Sequence, residues 1–407
     1  MNTRLHNQLE SITVAILSCR SADFIFFLLC LGQGLIRFVP IVESWIEVIP
    51  GGQPLWGGFL PYLDINYFDE GFVRRGFIGT VAHILGVKPS ISAVRAFYAI
   101  GVLAATGVLT ALAWTSTQSL AALQRVLLLA MLAASPAVFS HWAWDAGRLD
   151  SWVVAFVVLG VIAAQGSRLL LSALAFAIAG LVHESAFVIF SPLFLAIGVE
   201  RLRQAPCDLR QIARLATAGT IVGGVFLAVL LLGDADPRAF QMNVRRFGSL
   251  HPYDIGDPLF PWTATVGTQF HWTICLFKEE PISLLSTGIA LVFLLLHSIA
   301  LFGGLGRRCL GLALMPVASA VLMTSMVLDN SRYISLAAIS VWLYLFVILR
   351  SDVPKLLPLR RALLIILLCF YALGPLSVGA GFGSVNRIVL KFFGSLNRVR
   401  AMVVCAP

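Results

Sequence analysis

Charge is scarce in this chain. Only 12% of its 407 residues are Asp, Glu, Lys or Arg, 59% are hydrophobic, and the mean hydropathy is +0.90. That balance lies outside the soluble globular range, so composition overrides the two or three soluble domains that length alone would give. Other signals are missing too. No strict apolar/polar alternation appears, which argues against an outer-membrane β-barrel. No G-x-x-x-x-G-K-[ST] occurs, so nucleotide hydrolysis is not the expected energy source. The seven cysteines (Cys19, Cys30, Cys207, Cys275, Cys309, Cys369 and Cys405) form no C-x-x-C pair. Most fall in or beside apolar runs, so they read as small buried side chains rather than a disulfide framework or a zinc site. There is no repeat of fixed period and no low-complexity run. The polar N-terminus enters an apolar stretch near Ala22 with no A-x-A-like cleavage site after it, so no removable signal is expected.

Apolar sequence is abundant. Stretches of ~17–25 residues, each long enough to cross ~30 Å of hydrocarbon as a helix, recur from end to end. Hydropathy windows give about eleven spans, roughly at 22–41, 92–114, 125–143, 151–167, 169–183, 185–199, 214–232, 282–302, 310–328, 333–349 and 362–382. The expected fold class is all-α: a polytopic transmembrane helical bundle with long non-cytoplasmic loops and a surface-lying helix after the first span. Residues 1–21 read as a cytoplasmic N-terminus, 22–200 as a catalytic transmembrane module, 201–383 as a C-terminal module with a long outer loop 233–281, and 384–407 as a basic tail.

The basic residues set the orientation. Arg4, Arg20, Arg125, Arg168, Arg201, Arg203, Arg210, Arg214, Arg307, Arg308, Arg350, Lys355, Arg360 and Arg361 occupy short, nearly acid-free connections, which places those connections in the cytoplasm. The net charge of +9 therefore speaks of membrane topology, and no nucleic-acid partner is expected. Of the 20 acids, only Glu10, Asp23, Glu200, Asp208 and Asp352 fall on that side, and the other fifteen fall on the opposite one. Lys and Arg alone made the sorting, yet it segregates the acids as well. The tail fits less well: an odd span number leaves Arg387, Lys391, Arg398 and Arg400 outside, where they read as an amphipathic surface segment.

The chemistry gathers in the outer connections. YFDEGFVRRGFIG (67–79) follows the turn-rich PGGQPLWGGFLP and leads into a candidate surface helix, 77–87. Acids and arginines at a membrane edge are costly unless paired or used. Asp69 or Glu70 could serve as a general base or metal ligand, and Arg74 or Arg75 as a phosphate clamp, while a set of Asp–Arg pairs pinning a loop is the bland alternative. HWAWDAGRLDSW (141–152) holds His141, Asp145, Arg148 and Asp150 at the mouth of a helical hairpin with Trp142, Trp144 and Trp152. The tryptophans suit an interfacial belt, or stacking on a sugar ring. His183 and Glu184 lack the second histidine of a zincin and read first as a polar pair capping a hairpin. In LDNSRY (328–333), helix capping explains Asp329 or Asn330 but not Arg332. The long loop 233–281 adds Arg238, Arg245 and Arg246 among many charges and reads as substrate-binding or lid-like. His297, mid-span, reads as a core histidine.

This arrangement resembles the GT-C superfamily of integral-membrane glycosyltransferases. There, a first span leads into a long outer loop with an acidic pair and surface helices, and a later short outer loop supplies a second acid. Asp69–Glu70, the helix at 77–87 and Asp145/Asp150 take those places here, over roughly residues 20–200. The resemblance implies transfer of a sugar from a polyprenyl-phosphate carrier to a glycan or lipid acceptor outside the cytoplasm. It further implies Asp69 as base and Glu70 as its partner or a metal ligand, with Asp145 or Asp150 assisting. Arg74, Arg75, Arg148 and Arg332 become phosphate clamps. His183, Glu184, Trp144, Arg245 and Arg246 complete the expected substrate-binding set, with a divalent cation (Mg or Mn) as the candidate cofactor. The expected location is the plasma (inner) membrane, N-terminus cytoplasmic and active face outside. Two alternatives stay open: an exopolysaccharide or O-antigen polymerase relying on Arg238, Arg245 and Arg246, and a lipid-linked-oligosaccharide flippase or other transporter.

The orientation makes a direct prediction. Single cysteines placed at 64–75 or 145–150 in a cysteine-free background should react with a membrane-impermeant thiol reagent in intact cells. Labelling only after permeabilisation would reverse the assignment.

Overall fold

The computed structural model describes residues 60–120, 122–135, 137–138, 141–144, 148–204, 208–234, 266–279, 281–303, 305–326 and 330–350, together with Leu28 and the pairs 376–377 and 381–382. Among these residues the regular secondary structure is helical apart from one two-residue antiparallel pairing of β1 (Leu376–Ser377) with β2 (Gly381–Phe382). A single turn, α1 (Pro61–Asp64), leads to α2 (Gly76–Ile84), and the bundle follows as α3 (Ile91–Ser116), α4 (Ala122–Ala134), α5 (His141–Trp144), α6 (Asp150–Gln165), α7 (Leu169–Val182), α8 (Ser185–Gln204), α9 (Leu209–Leu232), α10 (Val266–Glu279), α11 (Pro281–Phe302), α12 (Arg307–Met326) and α13 (Asn330–Arg350). Five of them, α3, α8, α9, α12 and α13, are long and apolar enough to cross a membrane, and α6 and α7 are shorter apolar helices.

Helix α13 is the axis of the bundle. It is 94% buried along its apolar window, whereas the window of α9, the most hydrophobic of these five at mean hydropathy 2.3, is only 11% buried. An apolar helix that hides so little of itself from its neighbours faces lipid, which is as apolar as its leucines. The core around α13 is built from Ile334, Val341, Leu343, Leu345 and Phe346, with Phe302 of α11 stacked on Tyr344 at a centroid distance of 5.3 Å.

Two sets of helix ends are drawn together. At one end Gln165 donates to the carbonyl of Phe346 (3.2 Å), Arg350 donates to Gln165 (2.8 Å) and Arg201 donates to the carbonyl of Ala164. Arg308 and Arg203 approach the buried carboxylate of Glu200 there, at 3.3 and 3.9 Å. The acid-bearing ends meet at the other end.

Most expected spans match a helix to within a few residues, and the segment expected as a helix at 77–87 contains α2 (Gly76–Ile84). Four readings are corrected. The expected span 125–143 is broken: α4 stops at Ala134 and a separate turn forms at His141–Trp144. Ser135 precedes Pro136, and a residue before proline is pushed out of the helical region. The loop 233–281 contains a helix, α10. The end of the expected span 362–382 forms β1 and β2, because GPLSVGAGFG (374–383) is too rich in glycine for a helix. Cys275 is disulfide-bonded, against the reading of the cysteines as unlinked side chains, while Cys309 is free and buried. The span 22–41 lies outside the described residues apart from Leu28, which is helical.

Candidate functional site

The segment 66–76 acts as a strap over the acid-bearing end of the bundle. Asn66 organises it through an Asx turn: its side-chain oxygen accepts from the backbone N–H of Phe68 (2.9 Å) and Asp69 (3.1 Å). Its amide nitrogen donates to Asp69 (2.7 Å), and its backbone N–H donates to Glu70 (2.9 Å). Both acids are thereby oriented by one residue, with Asp69 exposed and Glu70 half-buried. The strap is pressed against α2 at Gly79, where a Cβ would stand 1.9 Å from the carbonyl oxygen of Ile65, so that only glycine fits. Thr80 accepts from the N–H of Tyr67 at 2.8 Å. At its far end the strap is held to the end of α9, where the N–H of Arg74 donates to Gly233 (2.8 Å) and its guanidinium pairs with the exposed Asp234 (2.5 Å).

Arg75 turns the chain inward. Its backbone lies in the left-handed region at φ 60°, an uncommon conformation for a residue with a side chain. The guanidinium forks onto both oxygens of Glu184, with Nε at 3.0 and 2.8 Å and a further bond from the terminal nitrogen, and it reaches the Tyr62 hydroxyl at 3.5 Å. Burial works against charge on both partners. For Glu184 the charge of Arg75 and the bonds to it outweigh burial, holding the carboxyl well below its usual range. Arg75 is likewise pushed above its ordinary value, since Glu184 more than offsets the burial.

A second pair, buried on both sides where Glu184 is only half-buried, lies close by. Asp150 is the first residue of α6, where a carboxylate is favoured by the helix N-terminus. Arg332 sits in the first turn of α13, where a cation is disfavoured for the same reason, and its guanidinium forks onto both Asp150 oxygens. Asp150 and Arg332 are 1% and 4% exposed. The Nε2 of His141, wholly buried, stands 3.4 Å from the same carboxylate. Tyr333, next along α13, acts electrostatically on Arg75, and the two pairs both act on His183. Arg75, Glu184, His183, Asp150, His141 and Arg332 thus form one cluster, although their segments are up to 257 residues apart (332 − 75).

His183 lies in the reversal between α7 and α8. Burial first, and then the charge of Arg75, push its pKa down to about 3, so it is neutral at pH 7. Its Nδ1 is 2.8 Å from the Ser185 hydroxyl and 3.6 Å from Glu184. With a neutral ring the Glu184 contact is no ion pair, and Glu184 belongs to Arg75.

The remaining expected residues are placed as follows. Arg148 is half-buried just before α6, and Trp144 ends α5. Asp145, Arg238, Arg245 and Arg246 lie outside the described residues. Trp142 is buried in the core rather than presented for stacking, and Trp152 packs on Phe97 at 4.8 Å while donating to its carbonyl at 3.1 Å. Asn66 and Ser185 were not singled out from sequence. For Asn66 a signal existed, since an asparagine opening a turn before two acids is Asx-turn chemistry. For Ser185 only its place after HE marked it. Among the described residues no three His, Cys, Asp or Glu side chains are grouped to hold a metal ion.

Two measurements check this geometry. Removing one partner of a buried pair should cost ~3–5 kcal/mol. Glu184→Ala and Asp150→Ala should therefore lower the melting temperature in detergent sharply, while Asp234→Ala, which breaks an exposed pair, should change stability by about 0–1 kcal/mol. Equal effects would contradict the burial. The second measurement concerns pH. The unfolded His183 side chain takes up a proton below about 6.5 while the folded one does not until about 3. Stability is then full above 6.5 and falls toward acid, by about 1.4 kcal/mol per pH unit from this group. The drop in melting temperature between pH 7 and 5 should be smaller in His183→Asn than in the wild type. Glu184, already lowered, adds nothing to that slope above the usual carboxylate range.

Compared with known proteins, the chain matches no family model, no curated protein and no solved structure.

Proposed function

We propose that the protein is a membrane glycosyltransferase that moves a sugar from a polyprenyl-phosphate carrier to a glycan or lipid acceptor on the non-cytoplasmic face. One observation carries the reading: a buried arginine–carboxylate pair, a second pair whose carboxylate is half-buried, and two buried histidines meet at the end of an apolar bundle, under a strap that presents an exposed carboxylate. A carrier whose tail is hydrocarbon and whose head is charged needs apolar helix surface beside a polar centre. The lipid-facing α9 and the cluster supply both. The side assignment is supported by the basic residues at the other end and by the disulfide of Cys275, since disulfides persist outside the reducing cytosol.

Asp69 is the base in this reading. Its exposed carboxylate accepts the proton of the acceptor hydroxyl as that oxygen bonds to the anomeric carbon, and the carbon–oxygen bond to phosphate breaks with its electrons leaving on the phosphate. Glu70 keeps the neighbouring turn negative and shares Asn66. Asp150 and Glu184 are poor bases, because each is neutralised by an arginine. For the same reason Arg332 and Arg75 are held by their own carboxylates and present no free fork. Among the described residues no three His, Cys, Asp or Glu side chains are grouped to hold a divalent cation, and no step is assigned to one.

The test is purified protein in detergent with polyprenyl-phosphate sugars, scored by acceptor-dependent loss of donor. Asp69→Asn should lower turnover by ~10²–10⁴ without changing the melting temperature. Full activity in Asp69→Asn would remove it as base. Loss of activity on alanine substitution at Arg238, Arg245 and Arg246, with Asp69 dispensable, would favour a polymerase.

A further inference from the structure

His183 has a feature that the pairs around it do not explain. The backbone N–H of Ser185 donates to its Nδ1 at 3.2 Å, and the Ser185 hydroxyl lies 2.8 Å from the same nitrogen. A backbone N–H can only donate, so Nδ1 carries the lone pair and the single proton of the neutral ring sits on Nε2. That Nε2–H is buried and has no partner among the described residues. Buried donors are nearly always matched with an acceptor, and an unmatched one is costly to keep.

The surroundings say which acceptor would fit. Among the charges acting on the ring, Arg75 acts more strongly than Glu184, and Arg332 more strongly than Asp150. Each pair therefore acts on the imidazole as a net positive charge, although Glu184 itself stands 3.6 Å from Nδ1, and both arginines are already held by their own carboxylates. A neutral donor in a positive field favours an oxyanion over a hydroxyl, which would bring a proton of its own. A metal is a poor fit, since Nδ1 is taken by Ser185 and Nε2 is protonated. A general base is a poor fit too, because the field that keeps the ring neutral also suppresses its basicity.

We propose that His183 is the ligand-facing group of the cluster, donating from Nε2–H to an anionic phosphoryl oxygen, and that Ser185 is the positioning residue that fixes this tautomer. The choice of a lipid phosphate as the source of that oxygen rests on the glycosyltransferase reading; the donor and its tautomer do not. Arg75 and Arg332 then act at one remove, through the field they set at the ring.

The test uses full-length protein in detergent micelles with ¹⁵N-labelled histidine, the His183 signals being assigned by their absence in His183→Asn. Nε2 should appear protonated and Nδ1 unprotonated, and Ser185→Ala, which removes the hydroxyl but keeps the backbone N–H, should retain that tautomer. Polyprenyl monophosphate should shift the Nε2–H resonance. Inorganic phosphate shows whether the head group alone suffices, and polyprenol supplies the tail without the charge. A shift with the lipid phosphate, with or without one from inorganic phosphate, supports the proposal. A proton on Nδ1, no shift with polyprenyl monophosphate, or an equal shift with polyprenol overturns it. His183→Asn, which keeps a neutral N–H donor, should bind polyprenyl monophosphate within about threefold of wild type, whereas His183→Phe should lose roughly 10–100-fold. Equal losses in both would reduce the histidine to a packing role. None of these readouts requires turnover, so absence of glycosyl transfer would leave the binding result standing.

Discussion

An arginine taken out of water must meet a carboxylate, and two such meetings fix the acid-bearing end of this molecule. Arg332 at the start of α13 is wrong for its own helix and right only beside Asp150 at the start of α6. Arg75 occupies an uncommon left-handed conformation and is right only beside Glu184 between α7 and α8. Each pair is neutral overall, so neither charge stands alone in a region of low dielectric. Their directionality does the rest, because a guanidinium that bonds both oxygens of a carboxylate sets angle as well as distance. The strap and the ends of α6, α7, α8 and α13 are therefore positioned by two forks, and apolar contact alone could not do this, since it is indifferent to rotation.

The same forks shape what the site can do. Arginines engaged this fully are sources of field, and carboxylates neutralised this fully are poor proton acceptors. In the proposed reading the reactive tasks pass to groups outside the pairs. Asp69 is exposed on a turn held by Asn66. His183 is buried, and Ser185 dictates its tautomer. One group can accept a proton and the other can donate a hydrogen bond, and a rigid neutral frame separates them. The strap that carries Asp69 and Arg75 is also tied to the end of α9 through Arg74, Gly233 and Asp234. The strap thus joins the polar cluster to the helix with the most lipid-facing surface.

Much of the fold could be read from the amino acids. Mean hydropathy integrates over about twenty residues, so α3, α6, α7, α8, α9, α11, α12 and α13 were each visible as apolar stretches before any packing was known. The short helix α2 was legible too, being apolar but too short to span. The failures were local. Ser135–Pro136 interrupts what a window averages into one span, and glycines at 374–383 turn the end of another into paired strands. Of the candidate site, the clustering of charge at 67–79, 141–152, 181–187 and 328–333 was plain, as was the anomaly of Arg332.

The sequence by itself determined that this is a predominantly helical chain with membrane-length apolar helices and that its acids and selected arginines fall near particular helix ends. Those properties depend on residues adjacent along the chain. Only the tertiary structure decided that Arg75 takes Glu184 rather than Asp69 or Glu70, that Arg332 takes Asp150, and that His183 stands between the pairs with its Nε2–H unmatched. Such choices depend on distances of about 3 Å between residues more than a hundred positions apart, and on the loss of water that makes each charge select a single partner.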